Sequence, residues 1–361
     1  MSQLETDRHF MAAALALGRT GLGRTAPNPS VGCVIVAANG SRVVGLGRTA
    51  DGGRPHAERQ ALRMAGKDAN GGTAYVTLEP CSHTGKTPPC VEALVHSRIS
   101  RVVIATLDPN PLVAGEGVAK LTKEGIAVTE GVRAAEAEWD LAGHLTRMRH
   151  TRPHVTLKLA VSAEGAIGRR GEGQIAISGP ASRQRVQLMR AEADVIAVGV
   201  GTVLADDPQL TCRLPGMASR SPQRLIFDRQ LRTPLTAALF DDVPAVPVIL
   251  VHAADAPPSR VAALNHAGAE LIQADSLASA LAKLGASGTT SVLVEGGGTI
   301  ADAFLDADLV DRIAHVHTPT RIAPPLVAPR AGRRPGSLSP KFRTVTTERI
   351  GEDVWTWLER A

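Results

Sequence analysis

Four side chains in the first third of the sequence have the types and spacing of a hydrolytic metal centre. The stretch Arg54-Pro55-His56-Ala57-Glu58 offers an imidazole and a carboxylate, and Glu79-Pro80-Cys81, followed after eight residues by Cys90, offers two thiols. One imidazole and two thiolates, with a water in the fourth place, make the open tetrahedron of a catalytic zinc. Pro55 fits the first turn of a helix, and Ala57, Ala61, Leu62 and Ala65 continue from it at helical spacing, so His56 and Glu58 are expected at a helix N-terminus. Residues two apart on a helix do not share a face, so Glu58 is read as a neighbour of the metal-bound water and not as a fourth ligand. Zinc brings the pKa of such a water from ~15.7 to about 7, and a carboxylate within reach carries its proton to the group under attack. The run Ala74 to Leu78 alternates like a strand, which places Cys81 at the hand-over to a second helix, where backbone N–H groups favour thiolate.

Taken singly, His-Ala-Glu reads as an exposed helix start and the cysteines as core thiols. Together, in this order and each ligand beside a proline, they match a zinc deaminase signature. Zinc deaminases usually close it with Pro-Cys-x-x-Cys, whereas here Ser82-His83-Thr84-Gly85-Lys86-Thr87-Pro88-Pro89 separates the cysteines. With that longer loop the chain resembles the bifunctional riboflavin-biosynthesis deaminase/reductases, over nearly its whole length. The resemblance implies an α/β fold in which a three-layer cytidine-deaminase-like domain precedes a dihydrofolate-reductase-like domain. It also implies zinc and NADPH as cofactors.

The bounds set by composition agree with an enzyme of two domains. At 361 residues the chain is long for one domain, and 43% hydrophobic with 21% charged residues is a globular profile. Aromatics are only 2%, so the cores must be aliphatic. No apolar run approaches the ~20 residues of a membrane span, and the N-terminus lacks the basic-then-apolar layout of a signal peptide, so a cytoplasmic protein is expected. The net charge of +5 permits nucleic-acid binding, but scattered arginines and scarce aromatics speak against it and suit a phosphorylated small molecule. No nucleic-acid or membrane partner is expected; a homo-oligomer is. Cys33 and Cys212 read as ordinary thiols, because four cysteines are too few for a disulfide scaffold.

The elements that must position these residues alternate. Residues 7–18 have helical spacing that Gly18 can close, Val31 to Val36 and Val43 to Gly47 read as a hairpin, and the helix from Val91 and strand from Arg101 are followed by a helix at 117–124 and a strand at 126–129. The basic stretch Arg147 to Pro153 separates two α/β patterns, which puts the domains at 1–150 (zinc-dependent deaminase) and 151–361 (NADPH-dependent reductase). Further strands are expected at 154–160, 193–199, 224–228, 246–252, 270–274 and 291–295. The last runs through Glu295-Gly296-Gly297-Gly298-Thr299 into a helix, and such a loop presents free N–H groups to phosphate. Read alone it is often just a tight strand-to-helix turn.

Asn28, between Pro27 and Pro29, sits on a stiff extended backbone that presents its amide, and the resemblance makes it a pyrimidine contact. His83 and Lys86, inside the loop between the cysteines, are placed to reach a substrate phosphate or ring. By the same residue-by-residue match Ala160, Thr202, Asp206, Gly297, Gly298 and Thr299 would contact NADPH, Arg190, Leu210, Arg213 and Glu295 would face the ribose phosphate, and Lys158 would sit near the reacting sugar carbon. Three places depart from the family. Thr49 stands near a position where many relatives carry histidine, Ser162-Ala163-Glu164-Gly165 replaces Ser-Leu-Asp-Gly, and Ile175-Ala176-Ile177-Ser178 replaces Trp-Ile-Thr with one residue more. Arg229 stands where some relatives have serine; it reads as a surface arginine, with the 2′-phosphate of the cofactor as its other reading. The Pro-rich stretch 323–340 reads as irregular.

The implied reaction is hydrolytic deamination of 2,5-diamino-6-ribosylamino-4(3H)-pyrimidinone 5′-phosphate, with Glu58 as proton carrier, followed by reduction of the ribosyl group to ribityl, with Lys158 as catalytic cation. The competing readings are a zinc deaminase of a nucleoside or tRNA base with a non-catalytic second domain, and a binding protein that kept the fold without the chemistry.

Overall fold

The computed structural model describes residues 2–361 except 86–87, 170–174, 325, 328 and 330–339. The chain divides into two compact units, Met1–Thr151 and Arg152–Ala361.

The first unit opens on α1 (Gln3–Arg19), which starts earlier than its apolar spacing suggests and runs past Gly18. Its start is set by a capping box: the Ser2 hydroxyl accepts from the Glu5 N–H, and the Glu5 carboxylate accepts from the Ser2 N–H. Then come β1 (Gly32–Val36), β2 (Val43–Arg48), α2 (Ala57–Ala65), β3 (Thr73–Val76), α3 (Cys90–His96), β4 (Arg101–Ile104), α4 (Glu116–Lys123), β5 (Ala127–Thr129), α5 (Ala134–Asp140) and α6 (Ala142–His150). The sheet order is β2-β1-β3-β4-β5, antiparallel at β1 and parallel from β3 onward. Helix α2 lies directly on the β1–β2 hairpin because β2 has no side chain in the way at Gly47, where a Cβ would stand 2.2 Å from the Ala57 carbonyl oxygen. Gly32 of β1 does the same for α1, at 1.8 Å from the Ala14 carbonyl oxygen. The α2 backbone that carries His56 and Glu58 is thereby seated on the sheet.

Inside this unit Arg101 grips Asp7 with two hydrogen bonds of 2.7 Å, and the Tyr75 hydroxyl donates to the same carboxylate at 3.0 Å. Burial alone raises the Asp7 pKa, but the hydrogen bonds from Arg101, Gln3 and Tyr75 prevail and hold it below the ordinary carboxylate value. A depressed acid stabilises the fold above its unfolded pKa, and that contribution fades as pH falls through the folded value. Asp7→Asn is therefore expected to lower the calorimetric unfolding temperature near neutral pH, by about 2 kcal/mol in stability. The gap to the parent should narrow as pH falls below the ordinary carboxylate value; a gap independent of pH would refute the charge assignment.

The second unit contains β6 (His154–Val161), β7 (Gly168–Arg169), α7 (Pro180–Glu192), β8 (Val195–Gly199), α8 (Val200–Asp206), β9 (Gln223–Phe227), β10 (Val248–His252), α9 (Pro258–His266), β11 (Glu270–Gln273), α10 (Leu277–Ser287), β12 (Ser291–Glu295), α11 (Gly298–Asp306), β13 (Arg312–His317), β14 (Leu326–Val327), β15 (Phe342–Ile350) and β16 (Asp353–Arg360). Nine strands form one sheet in the order β11-β10-β9-β8-β12-β6-β13-β16-β15. It is parallel from β11 to β13, and β13, β16 and β15 close it antiparallel. The parallel strands are apolar on both sides. Val195 and Ala197 join one buried cluster and Ile196 and Val198 another, as a sheet covered on both faces requires. The cores are aliphatic as the composition demands, although Trp355, Tyr75 and Phe304 are among the largest fully buried side chains. No helix among the described residues is long and apolar enough to cross a membrane.

Candidate active sites

His56 is the N-cap of α2, with Glu58 in its first turn, so Pro55 precedes the helix instead of opening it. Cys81 lies in the loop after β3, and Cys90 is the first residue of α3. It is thus Cys90, and not Cys81, that stands at the second helix N-terminus, and its N–H donates to the Cys81 sulfur at 3.3 Å. The imidazole Nδ1 of His56 lies 3.7 Å from Cys81 Sγ and 3.4 Å from Cys90 Sγ. Two ligands on a tetrahedral zinc, with Zn–S near 2.3 Å and Zn–N near 2.05 Å, stand about 3.6 Å apart. The donor set fits the metal without rearrangement. Among the described residues these three are the group of side chains able to hold an ion.

Electrostatics sharpen this arrangement. A hydrogen bond from the Cys90 thiol, opposed by burial and aided by His56, brings Cys81 down to about 4, so it is a thiolate. The same hydrogen bond, and then burial, push the Cys90 thiol up, and His56 is raised by its interaction with Cys81. Glu58 is 4% exposed, and burial, then the Cys81 charge, raise its pKa. A buried acid with a raised pKa, beside three side chains able to hold a metal, is suited to carrying a proton.

The surrounding loops are tied to this centre. Asn28 donates its side-chain N–H to the Gly53 carbonyl at 2.7 Å, which fastens the Pro27–Pro29 loop to the turn before His56 and leaves the amide oxygen to accept from a ligand. Arg59 of α2 donates to the Pro88 carbonyl, and Lys120 of α4 donates to the Ser82 carbonyl at 2.6 Å, so both arms of the inter-cysteine loop are held. His83, in that loop, has a buried Nδ1 without a hydrogen-bond partner. Lys86 lies outside the described residues. Thr49, where a histidine was sought, is 1% exposed, and its hydroxyl accepts from the Val31 N–H, so its part is structural.

Two features escaped the sequence reading. The buried Glu79 carboxylate accepts N–H groups from Asp108, Gly115, Gly117 and Val118, binding the loop after β3 to the start of α4 just before Cys81. Asp108 Oδ1 is 2.9 Å from His144 Nε2, both buried, on the loop after β4 and on α6. Their partners lie 29 to 39 residues away, so no local pattern marks them. Helices α5 and α6 were also missed.

In the second unit a cavity of about 1190 Å³ opens where β6, β12 and β8 end. Lys158, Ala160, Arg190, Thr202, Asp206, Leu210, Arg213, Glu295, Gly297, Gly298 and Thr299 all line it. Lys158 and Glu295 are register partners on adjacent parallel strands. Arg190 clasps Glu295 with bonds of 2.8 and 2.9 Å and donates to the Thr211 carbonyl. Burial raises the Glu295 pKa, but Arg190, with Lys158 and Arg213, outweighs it and keeps the carboxylate charged. Burial lowers the Lys158 pKa, and Glu295 partly restores it. The Gly297 N–H donates to the Thr202 hydroxyl at 3.3 Å, joining the N-terminal ends of α8 and α11. Two helix starts and a glycine run facing one space suit a dinucleotide's phosphates. Ile175 to Ser178, which departs from the family pattern, lines the same cavity, as does Arg229.

Residues 4–106 match the model of the cytidine and deoxycytidylate deaminase zinc-binding region, and residues 153–356 match that of the RibD C-terminal domain. The riboflavin biosynthesis protein RibD of Aquifex aeolicus is 37% identical over 99% of both chains. The chain belongs to the RibD family. Escherichia coli RibD is 38% identical over 96% of this chain and 98% of its own. The Acinetobacter baumannii RibD structure superposes with a TM-score of 0.86 at 36% identity, covering all of both chains. A Thermotoga maritima structure described as a diaminohydroxyphosphoribosylaminopyrimidine deaminase and 5-amino-6-(5-phosphoribosylamino)uracil reductase superposes at 0.87 with 34% identity. As a RibD the chain is a bifunctional enzyme of riboflavin biosynthesis, a deaminase and a reductase in one polypeptide. Its α/β fold is that of RibD, a cytidine-deaminase-like domain followed by a dihydrofolate-reductase-like one. A deaminase that carries an inert second domain, the alternative reading, does not fit a chain matched as RibD along its whole length.

Proposed function

We propose that the first unit, 1–150, removes the amino group from C2 of 2,5-diamino-6-ribosylamino-4(3H)-pyrimidinone 5′-phosphate, and that the second, 151–361, reduces the ribosyl group of the product with NADPH. His56, Cys81 and Cys90 would hold a zinc ion, which when bound makes water acidic enough to attack near neutral pH. Glu58 takes a proton from the attacking water, delivers it to the ring nitrogen beside C2, and in a second transfer protonates the departing amine. Water adds, ammonia leaves and the uracil remains. Asn28, His83 and Lys86 orient the ring and its phosphate.

In the reductase Thr202, Asp206, Gly297, Gly298, Thr299 and Ala160 hold NADPH, which supplies the hydride equivalent for C1′ of the opened sugar. Lys158 supplies the positive charge at the atom that gains electron density, Glu295 orients sugar hydroxyls, and Arg190, Leu210 and Arg213 shape the pocket for the ribose phosphate. Because the Arg190 fork is already closed on Glu295, Arg213 is the side chain open to phosphate.

The observation that carries this reading is the three-donor set at zinc spacing with a buried acid beside it. The test supplies the diaminopyrimidine phosphate with and without NADPH, following ammonia and the absorbance of the reduced cofactor together. Ammonia release without NADPH, and NADPH oxidation only after it, is expected. Stripping the metal with a chelator should stop ammonia while pre-deaminated substrate still oxidises NADPH. Ammonia from cytidine or adenosine instead would defeat the substrate assignment.

A further inference from the structure

Helix α7 walls one side of the second unit's cavity, lending it Arg183, Val186, Gln187 and Arg190. It is bolted to the sheet at three points. In its last turn Arg190 clasps Glu295 of β12. In its first turn the buried Ser182 hydroxyl accepts from Trp355 Nε1 of β16 at 2.9 Å, and just before it the Gly179 N–H donates to Asp353 Oδ2 at 2.8 Å. Lys158 lies on the face that α7 covers. It is the register partner of Glu295, and the register Ala160–Val316–Trp355 across β6, β13 and β16 puts Trp355, and Asp353 two residues before it, on that same face.

Asp353 is 2% exposed, and among the described residues it has no ion pair and no hydrogen bond at Oδ1. Taking a carboxylate out of water for one N–H is costly unless a positive charge stands near. That charge is Lys158, whose own ammonium makes no hydrogen bond or ion pair among the described residues. Burial works against the Lys158 charge, Glu295 supports it, Arg190 opposes it and Asp353 supports it. Since Arg190 already closes on Glu295, Asp353 is the acid left without a cation bound to it. On the other elements around Lys158, β13 sets the uncharged Ala314 beside it, while Arg169 of β7, Arg183 of α7, Asp206 of α8 and Arg213 line the same cavity. Asp353 also ends a wall of that cavity, the segment Ile175 to Ser178. The Thr320 hydroxyl donates to the Ile177 carbonyl at 2.8 Å, Arg183 donates to the Ser178 carbonyl at 2.6 Å, and the Gly179–Asp353 bond fixes the next residue.

We propose that Asp353 is a positioning residue of the reductase: its carboxylate holds the 175–179 segment and the start of α7 at the cavity, and its charge balances Lys158 without tying the ammonium down. The inference rests on the reading of Lys158 as the catalytic cation. An ammonium locked in an ion pair is not available to substrate, and one buried with no acid near it gives up its proton. An acid held at a distance by a backbone N–H avoids both.

The test compares Asp353→Asn with Asp353→Ala in the full-length protein, supplied with pre-deaminated substrate and NADPH. Asparagine keeps an oxygen for the Gly179 N–H and removes only the charge; alanine removes both. In Asp353→Asn the unfolding temperature and KM should hold, while the alkaline limb of kcat, where the Lys158 ammonium loses its proton, should move to lower pH by about half a unit or more. Asp353→Ala should show the same displacement, with KM raised about fivefold by the loss of the hydrogen bond. Lys158→Ala tests the underlying reading by itself, with kcat expected to fall about a hundredfold. A parent profile with no alkaline limb, or a limb that stays in place in Asp353→Asn, overturns the charge role, and a KM in Asp353→Ala equal to the parent's overturns the hold on the segment. Both results leave the Lys158 reading intact. Reduction by Lys158→Ala at the parent rate refutes that reading and the proposal with it.

Discussion

Glu58→Gln is expected to lower ammonia release by about 10²- to 10⁴-fold, the range over which a positioned general acid–base acts. The substitution keeps the size of the side chain and removes only its ability to accept and return a proton. Glu58 is buried in the first turn of α2, on a helix pressed onto a glycine-bearing hairpin, so the amide should occupy the same place. Metal content should be unchanged, because His56, Cys81 and Cys90 form the donor set proposed for the metal and Glu58 is not among them. Pre-deaminated substrate should still consume NADPH at the parent rate, since that chemistry belongs to residues after 151. Metal analysis, ammonia assay and NADPH oxidation on one preparation separate the outcomes. A variant that loses its metal would make Glu58 a ligand; one that deaminates at more than a tenth of the parent rate would remove it from proton transfer.

Glu295→Gln carries the second large effect, and its reading differs because Glu295 is both a pocket residue and half of a buried ion pair. The side chains of Arg190 and Glu295 are only 12% and 13% exposed. Removing one partner of such a pair leaves a buried charge unmatched and costs about 3–5 kcal/mol, whereas replacing both with apolar groups is often neutral. Unfolding of the second unit should therefore come at markedly lower temperature in Glu295→Gln and largely recover in Arg190→Met combined with Glu295→Leu. Reductase activity should be lost in both. The stability effect also has a sign with pH. Glu295 is held below its ordinary pKa against the opposing pull of burial, so its contribution is present above the ordinary glutamate value and disappears as pH falls through the lowered one. Parent and Glu295→Gln should converge in acid. Recovery of reduction in the double variant would show that the pair is structural only.

The order of elements was written locally. Apolar periodicity located β1, β2, α3, β4, β6, β8, β9, β10, β11, β12 and α11 to within a few residues, and the Ser2–Glu5 box that sets the true start of α1 was present in the sequence but not used. Elements with mixed faces were harder. Helices α5 and α6 carry charges through most of their turns, and β15 is exposed along most of its length, so neither shows a clean apolar stripe. The expectation that Cys81 would meet the second helix failed because the inter-cysteine loop is long enough for the helix to begin at Cys90.

By itself the sequence determined the residue types that could hold a metal, the acid beside them, the glycine run after β12 and the alternation that makes an α/β chain, because each depends on near neighbours. Only the tertiary structure decided what those residues meet. Glu79 against the start of α4, Asp108 against His144, and Arg190 closed on Glu295 join positions 36 to 105 residues apart, and no spacing rule reaches that far. Arg229 reads from the sequence as a surface arginine, and only the structure places it in the lining of a large cavity, on a turn pinned by Asp228 and Arg260. The reason is physical: periodicity records which face of an element is buried, while the chemistry of a site depends on which distant groups the packing of those faces brings within hydrogen-bonding distance.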